Sequence, residues 1–526
     1  MGPSRREFVA MLLGAPLAAA CGGGGARTIE GSLVETGMGR GHAMRDLRAI
    51  PAVPDGRWRR TGVIVIGGGV AGLSAAWWLR RNGRTDVTVV ELDDVVGGTA
   101  RGGASSVTPY PWGAHYVVAP RADEAAMVAL FEEQGAIEGH DAHGDPIIDE
   151  ALRCRDPDER IWYRGRWADG LYLSAGASAE DLAQLARFDA AIDQWATWRD
   201  AAGRPAFTVP VSACSTDPTA TALDRESFGA WLDRQGLTSE RLRWMTDYAC
   251  RDDYDLLAAD TSAWAGIYYF AARRRAPGSS RAVVTWPDGN AHLIAHLASK
   301  VGPIETKLAV VDVRAVAGGV EVIALADDGP VGIRAEHAVV AVPRHVARHI
   351  VATRREAGGV LPDCGAWAVA NVHLRDRPRE RPGDAPPAWD NVIRDSPSLG
   401  YVSATHQRGR DVGPTVWTWY YPFPEDGAVV RKRLAGAGHG EWAATVVADL
   451  ARVHRDLPDL VTRVDVAFWG HGMVRPRVGA MFDLTRMSAA APIGAIHFAH
   501  TDLSGMALFE EALDHGVRAA REILAS

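Results

Sequence analysis

Six consecutive residues, Gly67-Gly68-Gly69-Val70-Ala71-Gly72, follow the apolar run Val63-Ile64-Val65-Ile66 and precede a helical pattern through Leu73, Ala76 and Leu79 that stops at Asn82-Gly83. The order is strand, glycine turn, helix. Gly67 permits the tight turn, Gly69 lets the backbone approach a pyrophosphate, and Gly72 lets the helix pack on its strand. The first helical amides, around Val70 and Ala71, would face the anion. A second run, Val87 to Val90, ends in Glu91, about twenty residues past the glycines, where a carboxylate accepts hydrogen bonds from a ribose diol. Together these residues read as a dinucleotide site. They do not choose between FAD and NAD, which share the adenosine half.

The next residues narrow the choice. Leu92-Asp93-Asp94-Val95-Val96 leads into a second glycine pair, Gly97-Gly98-Thr99-Ala100-Arg101, and Trp112-Gly113-Ala114-His115-Tyr116 follows. This succession resembles the flavin-containing amine oxidase and phytoene desaturase superfamily, whose members place a GG turn after the strand-two glutamate. The resemblance implies FAD, held by Gly67, Gly69, Val70, Ala71, Gly72, Glu91, Gly97 and Gly98, with backbone at Gly113 and Ala114 brought to the flavin ring. Thr99 stands where many members have arginine, and Arg101 is the nearest residue that would do that work. Thr285-Trp286-Pro287-Asp288-Gly289-Asn290 resembles the family's P-x-G-G turn, and three strand-like runs follow, Leu308 to Val313, Val320 to Leu325 and Ala338 to Val342. The first would lend the backbone of Val310 to the adenine edge. Near the C-terminus, Ile496-His497-Phe498-Ala499-His500-Thr501-Asp502 before a helix from about Phe509 to Leu524 resembles the family's last flavin motif. Asp502 is the acid expected to bond the ribityl chain, and the helix N-terminus would face the flavin pyrimidine.

The pattern departs from that family where chemistry is done. Amine oxidases carry a lysine beside flavin N5 on the strand that should here be Ala368 to Leu374, yet no lysine lies between Lys307 and Lys432. Asn371 or His373 is the nearest polar substitute, so a dehydrogenase is at least as well supported as an oxidase. The two aromatic walls of the amine site fall near Met481 and Met506, with Phe482, Phe509 or Trp417 as replacements from other positions. In Trp469-Gly470-His471-Gly472-Met473-Val474-Arg475-Pro476, His471 is a candidate proton shuttle, and Arg475 a candidate for binding a substrate carboxylate or damping charge on reduced flavin. In Val416-Trp417-Thr418-Trp419-Tyr420-Tyr421, Trp417, Trp419 and Tyr421 share one strand face and Tyr420 the other, giving either a pocket wall or ordinary core.

These residues need a scaffold, and the chain is long enough to provide one. With 526 residues, 47% hydrophobic and 23% charged, it can bury a large core. The expected class is α/β: a Rossmann-type FAD-binding domain, parallel sheet with a β-meander insert, plus an α+β substrate domain with a mixed sheet. Residues 61–120, 281–345 and 471–526 would form the first and residues 121–280 and 346–470 the second. A net charge of −8 with no basic run argues against nucleic acid. There is no GxSxG elbow, HExxH or P-loop lysine, and no metal site is expected, His140-Asp141-Ala142-His143 reading as a solvated loop. Residues 1–21 form an export signal: Arg5-Arg6 before a short apolar stretch resembles a twin-arginine signal, and Leu17-Ala18-Ala19-Ala20-Cys21 resembles a lipoprotein box with Cys21 acylated. Residues 22–60 would be a linker. The expected partners are the machinery that exports folded proteins, a small-molecule substrate and an unspecified electron acceptor, with membrane contact only through Cys21. The function implied is FAD-dependent oxidation, with an amine or polyamine as first substrate. A desaturase-like enzyme on a lipophilic substrate, or a non-catalytic flavin-binding envelope protein, stays open.

Overall fold

The computed structural model describes residues 28–274, 280–357 and 361–526; the stretch expected to be an export signal, with Cys21, lies outside these. The strand Trp58–Ile66 enters the core as a continuous apolar run, with Val63, Ile64 and Val65 fully buried, because helices and a meander cover both faces of its sheet. That sheet runs in the order Ile304–Glu305, Val87–Val90, Trp58–Ile66, Gly329–Val340, Gly319–Ala326, Ala309–Val316, with Ile496–Phe498 also paired to Gly329–Val340. The pairs around Trp58–Ile66 are parallel, and the three strands from Ala309 to Val340 form an antiparallel meander. The third meander strand begins at Gly329, well before the expected Ala338. Its polar stretch Gly332–His337 escapes a hydrophobicity reading because it is fixed by pairing with the meander on one side and Trp58–Val63 on the other.

The second body is an eight-stranded mixed sheet with helices. Its order is Leu33–Val34, Val461–Val474, Cys364–Leu374, Thr415–Phe423, Gly400–Ser403, Asp390–Ile393, Glu159–Tyr163, Arg166–Asp169. The helices Ala179–Thr197, Glu240–Tyr254 and Ala263–Ala271 bury Phe188, Trp264 and Tyr268 against Met481 and Met506. The two methionines are therefore core, and Phe482 packs edge-on to Trp264 in the same layer. Phe509 is buried in the Rossmann-side core.

The aromatic strand divides as its alternation requires, but its faces serve different ends. Trp417, Trp419 and Tyr421 pack into the core under Trp442 and Val446 of the helix His439–Ala451. That face is core and not a pocket wall. Tyr420, on the opposite face, points toward Trp112 and Trp389.

Residues 28–57, expected as a linker, are structured. Leu33–Val34 pairs in parallel with Val466–Ala467, and Ser32 anchors it by giving both its backbone N–H and its hydroxyl to Asp465 Oδ1 at 2.9 and 3.0 Å. A helix, Met38–Arg45, follows.

Candidate functional site

The glycine turn is built as its spacing implies. Gly67 has φ +106°, and a Cβ there would lie 2.5 Å from the Ala341 carbonyl; one on Gly72 would lie 1.9 Å from the Gly67 carbonyl. Gly69 precedes the helix Val70–Arg81, whose early amides have no side-chain cap, so the turn presents free N–H groups. Gly97 pairs alongside Gly69 and donates its N–H to Gly68, bringing the second glycine pair against the first. Gly98 and Thr99 stay exposed beside it. The Thr99 carbonyl accepts the Ala114 N–H at 2.9 Å and closes to 2.1 Å from where a Gly113 Cβ would be. Gly113 and Ala114 are thereby fixed next to the second glycine pair.

The carboxylates at the two ends differ. Glu91 accepts the Gly68 N–H at 2.7 Å and the Asp93 N–H at 2.9 Å, and burial raises its pKa despite these bonds. Each oxygen keeps a lone pair for a hydroxyl donor. Asp502 is almost fully buried. Its Oδ2 accepts the Arg344 N–H at 2.6 Å, while Oδ1 has no hydrogen-bond partner among the described residues. The Nδ1 of His500, 3.1 Å from Oδ1, accepts the Asp502 N–H and so has no proton to give it. An orphaned buried acceptor at this position fits a ligand hydroxyl. Val310 is buried in its strand.

Four further candidates are held elsewhere. The Arg101 guanidinium is committed to Asp93 Oδ2 at 2.6 Å and the Glu35 carbonyl at 2.5 Å, with Trp469 beneath it at 5.1 Å, so it is not free to replace the family arginine. Arg475 is fully buried: its guanidinium bonds Asp255 Oδ2 at 2.7 Å and the Phe423 and Glu425 carbonyls. It is an internal clamp with no face toward a substrate. Asn371 is also fully buried, giving Nδ2 to the Pro111 carbonyl at 3.1 Å and taking the Thr418 hydroxyl on Oδ1 at 2.8 Å, so both ends of its amide are engaged within the protein. His373 sits 3.6 Å from Asp465, beside Tyr110. His471 remains on the groove side, its ring stacked 4.0 Å from His345. Burial of the inner face and then Arg431 hold its pKa below the usual range, so it is neutral at pH 7.

Beyond Gly113 lies a set of residues that sequence reasoning did not assign. Tyr420 donates to the Gly113 carbonyl at 2.9 Å, and His115 is boxed by Tyr420, Trp389 and Tyr116 at centroid distances of 4.8, 5.3 and 5.3 Å. Behind this box opens a cavity of about 1050 Å³ lined by Tyr248, Tyr269, Phe270 and Glu159 among others. Four of the arginines facing it are matched closely, Arg273 with Asp253 at 2.7 Å, Arg274 with Asp189 and Asp193, Arg281 with Glu124, Arg155 with Asp411, and Arg153 lies 3.9 Å from Glu150. Glu159 and Asp252 make no hydrogen bond or ion pair among the described residues, and Asp390 holds only the Tyr248 hydroxyl at 3.0 Å. Burial, then neighbouring Asp158, pushes Glu159 up to about 7. Burial likewise raises Asp252 and Asp390, and these acids reinforce one another. Glu159 is thus an acid on the cavity wall without a cationic partner, and a cation entering the cavity would favour its ionised form. Glu159 carried no sequence signal.

At the start of the helix Phe509–Leu524, two buried carboxyls also stand where positive dipole was expected. Glu510 accepts the Val118 N–H and Glu511 the Val211 N–H at 2.7 Å, and burial, then Asp514, pushes Glu511 up to about 8. They tie that helix to the substrate side. Among the described residues no group of three His, Cys, Asp or Glu side chains is placed to hold a metal ion, and Cys154, Cys214, Cys250 and Cys364 are unpaired. No helix among them is long and apolar enough to cross a membrane.

With this geometry in view, residues 65–133 match the model of a family described as an NAD(P)-binding Rossmann-like domain. No curated protein sequence matches. Among solved structures, a putrescine oxidase is similar at 19% identity and TM-score 0.63, covering 89% of this chain and 100% of that one. Cyclohexylamine oxidase from Brevibacterium oxydans IH-35A aligns at 17% identity and TM-score 0.62, over 88% of this chain and 99% of that one. A CLA-producing fatty acid isomerase from P. acnes aligns at 14% and 0.59, over 88% and 98%. The chain has the fold of these enzymes. At such identities the likeness establishes architecture: a Rossmann-type dinucleotide domain interleaved with a mixed-sheet substrate domain.

Proposed function

We propose that this chain is an FAD-dependent oxidoreductase of the cell envelope that oxidises a small cationic substrate, an amine or polyamine, by hydride transfer to the flavin. The residues fit the cofactor: the glycine turn and Gly97-Gly98 would hold the diphosphate, Glu91 the ribose, and the unsatisfied Asp502 Oδ1 a ribityl hydroxyl. When bound, the flavin supplies the hydride acceptor. The protein's own part is to bind, orient and keep the site dry. The observation that carries the substrate class is Glu159, without an ion-pair partner among the described residues, on the wall of a cavity also lined by Tyr248, Tyr269 and Phe270, with the buried acids Asp252 and Asp390 close by. An ammonium group there would gain charge-assisted hydrogen bonds and aromatic faces. A lipophilic substrate would instead leave the Glu159 carboxyl in the cavity without a polar partner.

Two of the similar structures are oxidases named for amines, which supports the same class. Because both ends of the Asn371 amide are engaged, a dehydrogenase handing electrons to a separate acceptor is as well supported as an oxidase. Export through a twin-arginine signal, with Cys21 as lipid anchor, is part of the proposal and rests on the N-terminal sequence.

The test is an anaerobic absorbance titration of the purified protein with mono- and diamines, amino acids and unsaturated lipids. Bleaching of the flavin band by amines alone is expected, and the rate of recovery in air separates oxidase from dehydrogenase. Bleaching by lipids alone would overturn the substrate class, and folded protein that binds no flavin would overturn the cofactor.

A further inference from the structure

In parallel sheets of this kind ligands bind outside the carboxyl ends of the strands, and here that edge is crossed by the chain's own N-terminal segment. The segment leaves the substrate sheet at Leu33–Val34 and is pinned there by Ser32 on Asp465 and by the Thr36 hydroxyl on the Phe468 carbonyl at 2.9 Å. It then passes over Arg101, which holds the Glu35 carbonyl. Gly37 comes against Leu92 and Asp93, the two residues after Glu91. The helix Met38–Arg45 then lies against the strand Ala309–Val316 that contains Val310, with Arg40 reaching the Lys307 carbonyl and Asp327. Its path thus follows the expected adenosine end of the groove and joins both domains.

The segment is held lightly. The helix has no buried residue, its N-cap is Gly37, and the one side chain on its early amides is the Glu35 carboxylate, 3.3 Å from the Gly39 N–H. Gly31 and Gly37 flank the strand at φ +139° and +73°, giving it a hinge at each end. We propose that residues 31–46 are a clasp that folds over the seated dinucleotide, so that the cofactor enters while the clasp is open and is retained once it docks. The proposal rests on the reading that the groove takes FAD. It suits a protein exported already folded, since a cofactor lost outside the cytoplasm would not be replaced.

The test uses the full-length, flavin-loaded protein and follows release of flavin fluorescence after dilution. A Cβ at Gly31 would lie 1.7 Å from the Val464 carbonyl, so Gly31→Val should unseat the clasp. Release at least about tenfold faster than in the native protein, a loss of ~1.4 kcal/mol of retention, is expected with the melting of the main body unchanged. Thr36→Val removes one pin and should fall between. If Gly31→Val does not fold, Thr36→Val is paired with limited trypsin cleavage at Arg40 and Arg45, which should be slower in loaded than in stripped protein. Release and cleavage indifferent to these changes would overturn the clasp while leaving FAD binding intact. Flavin uptake only after the segment is cut away would overturn it in favour of a plug. Protein that takes flavin in no form would overturn the cofactor reading, and the clasp with it.

Discussion

Replacing Arg475 with methionine should destabilise the protein without touching its chemistry, because Arg475 is buried against Asp255 and two backbone carbonyls and faces no cavity. Gly365 makes room for the pair: a Cβ there would sit 1.9 Å from Asp255 Oδ2. Breaking a buried pair by removing one partner costs about 3–5 kcal/mol. Spread over 526 residues at about 2.1 cal/mol/K each, the unfolding entropy is ~1.1 kcal/mol/K, so the melting temperature should fall by roughly 3–5 °C if the chain melts as one unit. The loss should depend on pH. Burial already pushes Asp255 up to about 7 against the pull of Arg475, and without the arginine it rises further. The folded variant then keeps a proton that the unfolded chain releases above about pH 4, so its stability falls as pH rises toward its folded pKa. Calorimetry at pH 5 and pH 8 should show the gap to the native protein widening, with flavin content and the rate of flavin reduction in the folded fraction unchanged. An unaltered melting temperature, or a raised KM for carboxylate substrates at unchanged stability, would refute the reasoning and return Arg475 to the substrate site.

Gly72→Val places a side chain into the Gly67 carbonyl and should abolish flavin content while leaving a folded substrate domain; retained flavin absorbance would mean that the turn does not hold the diphosphate. Glu159 gains its charge near pH 7, so KM for a diamine should fall as pH rises from 6 to 8. In Glu159→Gln KM should be about ten- to a hundredfold higher and flatter with pH, as expected from the ~1.5–3 kcal/mol of a hydrogen bond to a charged group. An unchanged KM profile would remove Glu159 from the binding site. Asn371→Ala should cost about 1–3 kcal/mol by orphaning the Pro111 carbonyl, with little change in the rate of reoxidation by oxygen. A large change in that rate at unchanged stability would show that Asn371 serves the flavin.

The sequence by itself determined the dinucleotide turn, since the chemistry of Gly67, Gly69 and Gly72 depends on backbone conformation and local spacing, which the chain carries within a dozen residues. The meander was legible for the same reason, except where Gly332–His337 becomes strand through pairing on both sides. What only the tertiary structure decided is which polar groups are left over. Arg101, Asn371 and Arg475 carry suitable chemistry in a suitable stretch, but partners tens to hundreds of residues away, Glu35, Pro111 and Asp255, hold their side chains within the protein. Glu159, Asp252 and Asp390 come from three distant segments, and no local pattern could announce that they would gather close enough to raise one another's pKa, with Glu159 on a cavity wall. Residues 28–57 read as linker because they are polar and glycine-rich. They are ordered by a sheet edge and a groove that exist only once both domains have folded.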